Sequence, residues 1–327
     1  MSLPEIKYCP GTLAEGFDTY SITCLKKVFN GRKVSHILPY CSPSSNMDSD
    51  ALFDDSRKHI SISGVQEKYS VILEKNKLRL ANEGERGNYI LKPIPSYGNK
   101  VDQMPANEHL TMQIARQAFG IDIAENALVF FENGEPAYIT KRFDIKDDGS
   151  KWAQEDFASL AEKTPQTDGS QYKYTGNYLD LFVLMKKYVP AYPIEALKLF
   201  KLLMFNYLFS NGDAHLKNFS LLETPMGDFR MSPAYDLLNS RIHVADTDFA
   251  LEDGLLPRNL AQGTVIKQFY ILANQADLNE EQVNKIFGSL TGNSNKVEQL
   301  IRASFLSDKT KRSYLQYYQA RLKRLVK

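Results

Sequence analysis

At 327 residues the chain exceeds the roughly 250–300 at which a single hydrophobic core stops growing, so two lobes are expected. Its 43% hydrophobic and 24% charged content is that of an ordinary globular protein. Lys+Arg of 40 against Asp+Glu of 39 leaves a net charge of +1, which removes any bulk electrostatic case for a nucleic-acid or membrane partner.

The opening Met-Ser-Leu-Pro-Glu-Ile-Lys lacks an apolar signal core and no 18-residue apolar run follows it, so a cytoplasmic protein is expected. Cys9, Cys24 and Cys41 show no C-x-x-C spacing and read as ordinary structural thiols in a reducing compartment. The first 55 residues are mixed, and residues 41–50 are rich in turn formers and read as a surface linker. Strand-like segments follow at residues 68–73, 88–92 (stopped by Pro93), 127–131 and 137–143, the last two flanking the hairpin signal Asn133-Gly134. Leu110, Ile114, Ala115 and Ala118 predict a helix over residues 105–119, with Gly120 as its stop. Helical periodicity then takes over, at residues 179–188, 194–210, 265–275, 280–289 and 308–326. The pattern predicts an α+β protein with a β-rich N-terminal lobe over residues 1–153 and a mainly α-helical C-terminal lobe over residues 154–327.

Chemistry concentrates in Asn211-Gly-Asp-Ala-His-Leu-Lys-Asn218, a polar loop between apolar neighbours. Phosphoryl transfer to a hydroxyl needs a carboxylate to orient the nucleophile and accept its proton, and protein-kinase catalytic loops place an amide metal ligand five residues later. Asp213 and Asn218 have that spacing, with Lys217 between them to offset charge on a transferring phosphoryl group. A strand-like segment at residues 219–222 follows the loop, and Asp236, eighteen residues beyond Asn218 and just past a second short strand, is a second hard oxygen for Mg²⁺. Upstream, Lys92 sits in an apolar strand where an unpaired ammonium is costly, which an α/β-phosphate partner would relieve; Glu108 is the candidate to hold it. Ser61-Ile-Ser-Gly-Val-Gln-Glu-Lys68 precedes a strand and carries one glycine among small polar residues, so its N–H groups are candidates to cradle phosphates, although it matches neither common phosphate-loop pattern.

Five landmarks in this order resemble the HipA-type toxin kinases, two-lobed bacterial Ser/Thr kinases usually encoded beside an antitoxin. They are the 61–68 segment, Tyr89-Ile-Leu-Lys-Pro93, Tyr138-Ile-Thr-Lys-Arg-Phe-Asp144 with Gln154-Glu-Asp-Phe157, Gly212-Asp-Ala-His-Leu-Lys-Asn-Phe-Ser220 and Ser232-Pro-Ala-Tyr-Asp236. The resemblance implies a two-lobed kinase-like fold using ATP and Mg²⁺, with Asp213 as catalytic base and Asn218 and Asp236 as metal ligands. It implies nucleotide contacts from Ser63, Gly64, Val65, Gln66, Glu67, Lys68, Lys92, Glu155, Asp156, Phe157, His215, Lys217, Asn218, Tyr235 and Asp236. Ser61 matches the serine that the family autophosphorylates, and Ser63 makes the pair from which the regulatory site comes; a dianion there would occupy the place of the ATP phosphates.

The implied partners are a protein substrate such as an aminoacyl-tRNA synthetase and an antitoxin with a DNA-binding domain. Full-length relatives carry an extra N-terminal subdomain of roughly a hundred residues, a size typical of domains. Here the phosphate loop arrives by residue 61, which resembles the short HipT branch, where a separate small protein is similar to that subdomain. Two other functions compete: a nucleotide-binding co-repressor without transfer, and a small-molecule phosphotransferase with the same catalytic spacing. Trp152, Tyr172, Tyr174 and Tyr178 lack the basic stripe that a base-stacking surface needs.

Overall fold

The structure, a computed structural model, describes residues 5–43, 67–245 and 247–326. The chain divides into two compact units, one of Met1–Gln113, Ala124–Phe143 and Gln299–Arg312, the other of Ile114–Ile123, Asp144–Glu298 and Ser313–Lys327.

The first unit is built on a five-stranded antiparallel sheet of β1 (Tyr69–Glu74), β2 (Lys77–Leu80), β3 (Tyr89–Lys92), β4 (Asn126–Phe130) and β5 (Pro136–Lys141), ordered β2-β1-β3-β5-β4. Alternation drives β1 and β3: Tyr69, Val71, Tyr89 and Leu91 point into the core, while β4 is buried along all five residues. Asn133-Gly134 turns β4 into β5 as expected, with Gly134 at φ +86° and the Phe131 N–H on the Glu135 carbonyl at 2.9 Å.

Two elements of this unit escaped the sequence reading. Helix α1 (Ile22–Phe29) is eight residues long, too short for periodicity to declare, but it is capped at both ends. Ser21 accepts the Cys24 N–H at 3.2 Å, and Asn30 closes the helix in the left-handed conformation at φ +53°. Its face of Cys24, Val28 and Phe29 packs onto the sheet, and the Tyr89 hydroxyl donates to the Val28 carbonyl at 2.7 Å. Strand β2, Lys-Leu-Arg-Leu, is half polar; Arg79 is held on the edge by Glu74 at 2.8 Å and Glu85 at 2.6 Å. Helix α2 (Met104–Phe119) matches the expected 105–119 within one residue.

The second unit holds a three-stranded antiparallel sheet, β6 (Gln154–Asp156), β7 (Ser220–Glu223) and β8 (Phe229–Met231), among helices. After the short α3 (Phe157–Leu160) and α4 (Pro165–Asp168), α5 (Leu179–Tyr188) and α6 (Tyr192–Leu208) form as the pattern predicts. Helix α6 is buried all round from Leu202 to Leu208; Phe200, Tyr207, Phe249, Phe269 and Phe287 meet ring to ring about it. It stops two residues earlier than expected because Ser210 adopts φ +53°. Helices α7 (Val265–Gln275), α8 (Glu280–Gly292), α9 (Ser294–Ala303) and α10 (Asp308–Val326) complete the chain; α9 was not foreseen. From α10, Arg321 is fully buried against Asp248 at 2.5 Å, the Tyr207 ring at 4.6 Å and Ser210 Oγ at 3.4 Å. Among the described residues, no helix is long and apolar enough to cross a membrane.

Candidate active site

The polar loop leaves α6 through a tightly held turn. The Asn211 N–H bonds back to the Asn206 carbonyl at 2.8 Å, which ends the helix. The buried Ser240 hydroxyl then clamps both sides of the turn, donating to the Ser210 carbonyl at 2.8 Å and accepting the Gly212 N–H at 2.8 Å. Asp213 follows one residue later.

Asp213 is half-buried, and its Oδ1 accepts the Tyr174 hydroxyl at 2.7 Å. Its backbone carbonyl takes two donors, the His215 N–H at 2.8 Å and the Asn218 side-chain Nδ2–H at 2.9 Å. The second bond fixes which way the Asn218 amide faces: the nitrogen is engaged with the loop, which turns Oδ1 away from it. His215 is buried with its ring edge-on to Tyr174 at 5.1 Å between centroids, and the Tyr178 hydroxyl donates to the Ala214 carbonyl at 2.8 Å. The three tyrosines weighed only as a stacking surface therefore support this loop, since the Tyr172 hydroxyl also lies 3.5 Å from Lys217 Nζ.

The small sheet gathers the remaining candidates. Strand β7 begins two residues after Asn218, and β6 pairs with it in the register Glu155↔Leu221 and Asp156↔Ser220. That register sets Asp156 near the loop, with Oδ2 3.9 Å from Lys217 Nζ. Asp156 also caps α3 by accepting the Ser159 N–H at 2.9 Å, and Phe157 is buried with its N–H on the Phe219 carbonyl. Glu155 is exposed. On the other side β8 pairs with β7, the Ser232 N–H reaches the Ser220 carbonyl at 2.9 Å, and the Tyr235 hydroxyl donates to the Lys217 carbonyl at 2.9 Å. Asp236, half-buried, follows in the left-handed conformation at φ +54°, a geometry that Asp tolerates better than most residues. Within this unit the structure thus groups Glu155, Asp156, Phe157, Asp213, His215, Lys217, Asn218, Tyr235 and Asp236 about one end of the sheet.

In the first unit, Lys92 does not reach the surface. Its Nζ lies 2.7 Å from Glu108 Oε1, with side chains 4% and 3% exposed, and 5.4 Å from the centre of the Tyr138 ring. A pair this buried is held by mutual neutralisation in place of solvent. Glu67 accepts the Tyr69 hydroxyl at 2.7 Å and Lys68 is half-buried. Ser61, Ser63, Gly64, Val65 and Gln66 lie outside the described residues.

Tyr174 and Ser240 were not in the sequence-derived site. They stand 39 residues before and 27 after Asp213 in the chain, and only the fold brings their hydroxyls to its loop.

A five-stranded antiparallel sheet, a helical unit and a loop bearing Asp213 and Asn218 define an α+β protein of kinase-like fold. Solved structures share it. One is HipA in the Shewanella oneidensis HipA, HipB and operator DNA complex, with a TM-score of 0.58 at 20% identity over 81% of this chain and 64% of that one. Another is the Helicobacter pylori proinflammatory kinase CtkA, with a TM-score of 0.52 at 14% identity over 79% of this chain and 90% of that one. Residues 60–297 match the HipA-like C-terminal domain, and the chain belongs to that family. Its relatives include a protein of Haemophilus influenzae named "Putative kinase", 25% identical over 94% of this chain and 93% of its own length. "Putative kinase Y4mE" of Sinorhizobium fredii is 31% identical over 55% of this chain, which spans 42% of that longer protein.

Proposed function

We propose that this chain is an ATP- and Mg²⁺-dependent protein Ser/Thr kinase acting as the toxin of a toxin–antitoxin pair. The observation that carries the reading is the organised loop at the end of the small sheet: Asp213 oriented by Tyr174, and the Asn218 amide turned by the Asp213 carbonyl, beside Lys217 and the Tyr235-Asp236 segment. Asp213 is assigned as the base that orients a substrate hydroxyl and accepts its proton. Lys217 offsets charge on the transferring phosphoryl group, and Lys92, positioned by Glu108, is assigned to the α/β-phosphates. Glu155, Asp156 and Phe157 are assigned to the adenine side, with His215 and Tyr235 beside the nucleotide. The donor set suits Mg²⁺: Asn218 Oδ1 and the Asp236 carboxylate are hard oxygens, and bound Mg²⁺ would supply charge neutralisation of the phosphates.

Gly64 to Lys68, with Ser63, are assigned to the phosphates by sequence, and Ser61 or Ser63 to autophosphorylation. The protein target, an aminoacyl-tRNA synthetase, and a small protein resembling the extra subdomain of full-length relatives come from the family likeness. A DNA-binding antitoxin is supported by the HipB and operator DNA bound to the Shewanella HipA. The same complex gives weight to a second reading, a co-repressor that holds nucleotide without transferring phosphate. The two separate on incubating purified protein with γ-labelled ATP and Mg²⁺ and mapping phosphosites by mass spectrometry, in the presence of a lysate. Label on Ser61 or Ser63 and on a lysate protein supports the kinase; nucleotide binding with no label on any protein would sink it.

A further inference from the structure

Cys9 and Cys24 were expected to be ordinary structural thiols, and the structure shows both as free thiols within one small polar network. Both are buried, at 0% and 1% exposure. Cys9 Sγ collects backbone N–H groups from Ser21 at 3.1 Å and from Gly11 and Thr12 at 3.4 Å, and its thiol donates to the Ser21 hydroxyl oxygen at 3.3 Å. Ser21 is the N-cap of α1, so this sulfur also sits at the positive end of an eight-residue helix. A set of donors converging on one sulfur stabilises a thiolate. A hydrogen bond from the Cys24 thiol, followed by those from Ser21 and Thr12, pulls Cys9 down to about 4, while the same contact and burial push Cys24 well above the ordinary thiol range.

The loop is shaped around the second sulfur. A Cβ on Gly11 would lie 2.1 Å from Cys24 Sγ, so glycine is what lets the loop close over Cys24. Among the described residues no group of three or more His, Cys, Asp or Glu is placed to hold a metal, which leaves two sulfurs and no metal-ligand set. The loop that follows Cys9 reaches solvent within a few residues, with Thr12 half-buried and Glu15 and Gly16 exposed.

We propose that Cys9 and Cys24 form a peroxide-reactive dithiol, with Cys9 as the attacking thiolate and Cys24 as the resolving thiol. Cys9 sulfur attacks one oxygen of hydrogen peroxide; the S–O bond forms, the O–O bond breaks, and the departing hydroxide takes a proton to become water. The sulfur is oxidised to a sulfenic acid and the peroxide is reduced. Cys24 sulfur then gives up its proton and attacks Cys9 sulfur; the S–S bond forms, the S–O bond breaks, and the oxygen leaves as a second water. Two thiols and one hydrogen peroxide become one disulfide and two waters. This site is independent of the kinase assignment.

The test uses the full chain, reduced and freed of metal with a chelator. It is treated with a few molar equivalents of hydrogen peroxide, quenched, alkylated in denaturant and peptide-mapped without reductant. The expected product is a Cys9–Cys24 linked peptide, reversed by dithiothreitol, with Cys41 alkylated. In Cys24→Ser, dimedone should trap a sulfenic acid on Cys9, and Cys9→Ser should give neither adduct nor cross-link. The wild-type map alone decides if either variant fails to fold. Oxidation of Cys41 ahead of the pair, or Cys9 and Cys24 both still alkylatable under excess peroxide, would overturn the proposal.

Discussion

Removing Glu108 should damage the first unit more than removing the whole Lys92–Glu108 pair. The two groups meet at 2.7 Å with side chains 4% and 3% exposed, so Glu108→Ala takes a carboxylate partner from a buried ammonium. Breaking a pair of this kind costs about 3–5 kcal/mol, a drop of roughly a hundredfold to a few thousandfold in the folded-to-unfolded ratio. The double replacement Lys92→Met with Glu108→Leu fills the same space without charge and should range from neutral to about 4 kcal/mol more stable than the native pair. Glu108→Gln keeps an acceptor for Lys92 and should fall between the two. Urea unfolding of all variants, followed by hydrogen exchange of amides in β3 and α2, reads these differences as a double-mutant cycle. Single costs below about 1 kcal/mol that simply add would refute the reasoning, because that is how a solvated pair behaves. The double variant should still lose phosphotransfer, since Lys92 is assigned to the phosphates.

Ser240→Ala removes the acceptor of the Gly212 N–H and one of two donors to the Ser210 carbonyl, which keeps the Ser240 backbone N–H at 3.1 Å, so the cost is about 1–3 kcal/mol for the one N–H left without its partner. Steady-state kinetics should show kcat falling with little change in KM for ATP, and Ser240→Thr should restore part of it; an unchanged kcat would remove Ser240 from the positioning of Asp213. His109, fully buried with Nε2 on the Gly11 carbonyl at 3.2 Å, is pushed down to about 4 by burial. The unfolded chain therefore binds its proton first, so stability is full above about pH 6.5 and declines by about 3 kcal/mol as pH falls toward 4. In His109→Gln that slope should largely vanish from urea unfolding measured across this range; an identical slope would assign it to other groups.

What the sequence made legible was what depends on neighbours in the chain. Helices α5 and α7 and the start of α8 follow from periodicity, and Asn133-Gly134 announces its hairpin. Helix α1 and strands β2 and β6 were missed because elements of three to eight residues carry too few periods to stand out, and β6 is formed by pairing with β7, not by its own residues. The candidate loop was readable because Asp213 and Asn218 are five residues apart, whereas Tyr174 and Ser240 reach it from distant segments with no local signal. The surroundings of Cys9 were hidden for a related reason: spacing alone cannot show that the Ser21, Gly11 and Thr12 N–H groups converge on its sulfur.

The central claim is that Asp213 serves as the base for phosphate transfer. The direct measurement compares wild type and Asp213→Asn for γ-phosphate transfer in single turnover, alongside calorimetric affinity for Mg-ATP. General-base catalysis contributes about 10²–10⁴-fold, so transfer should fall by that factor while nucleotide affinity changes only severalfold. Undiminished transfer in Asp213→Asn would contradict the account.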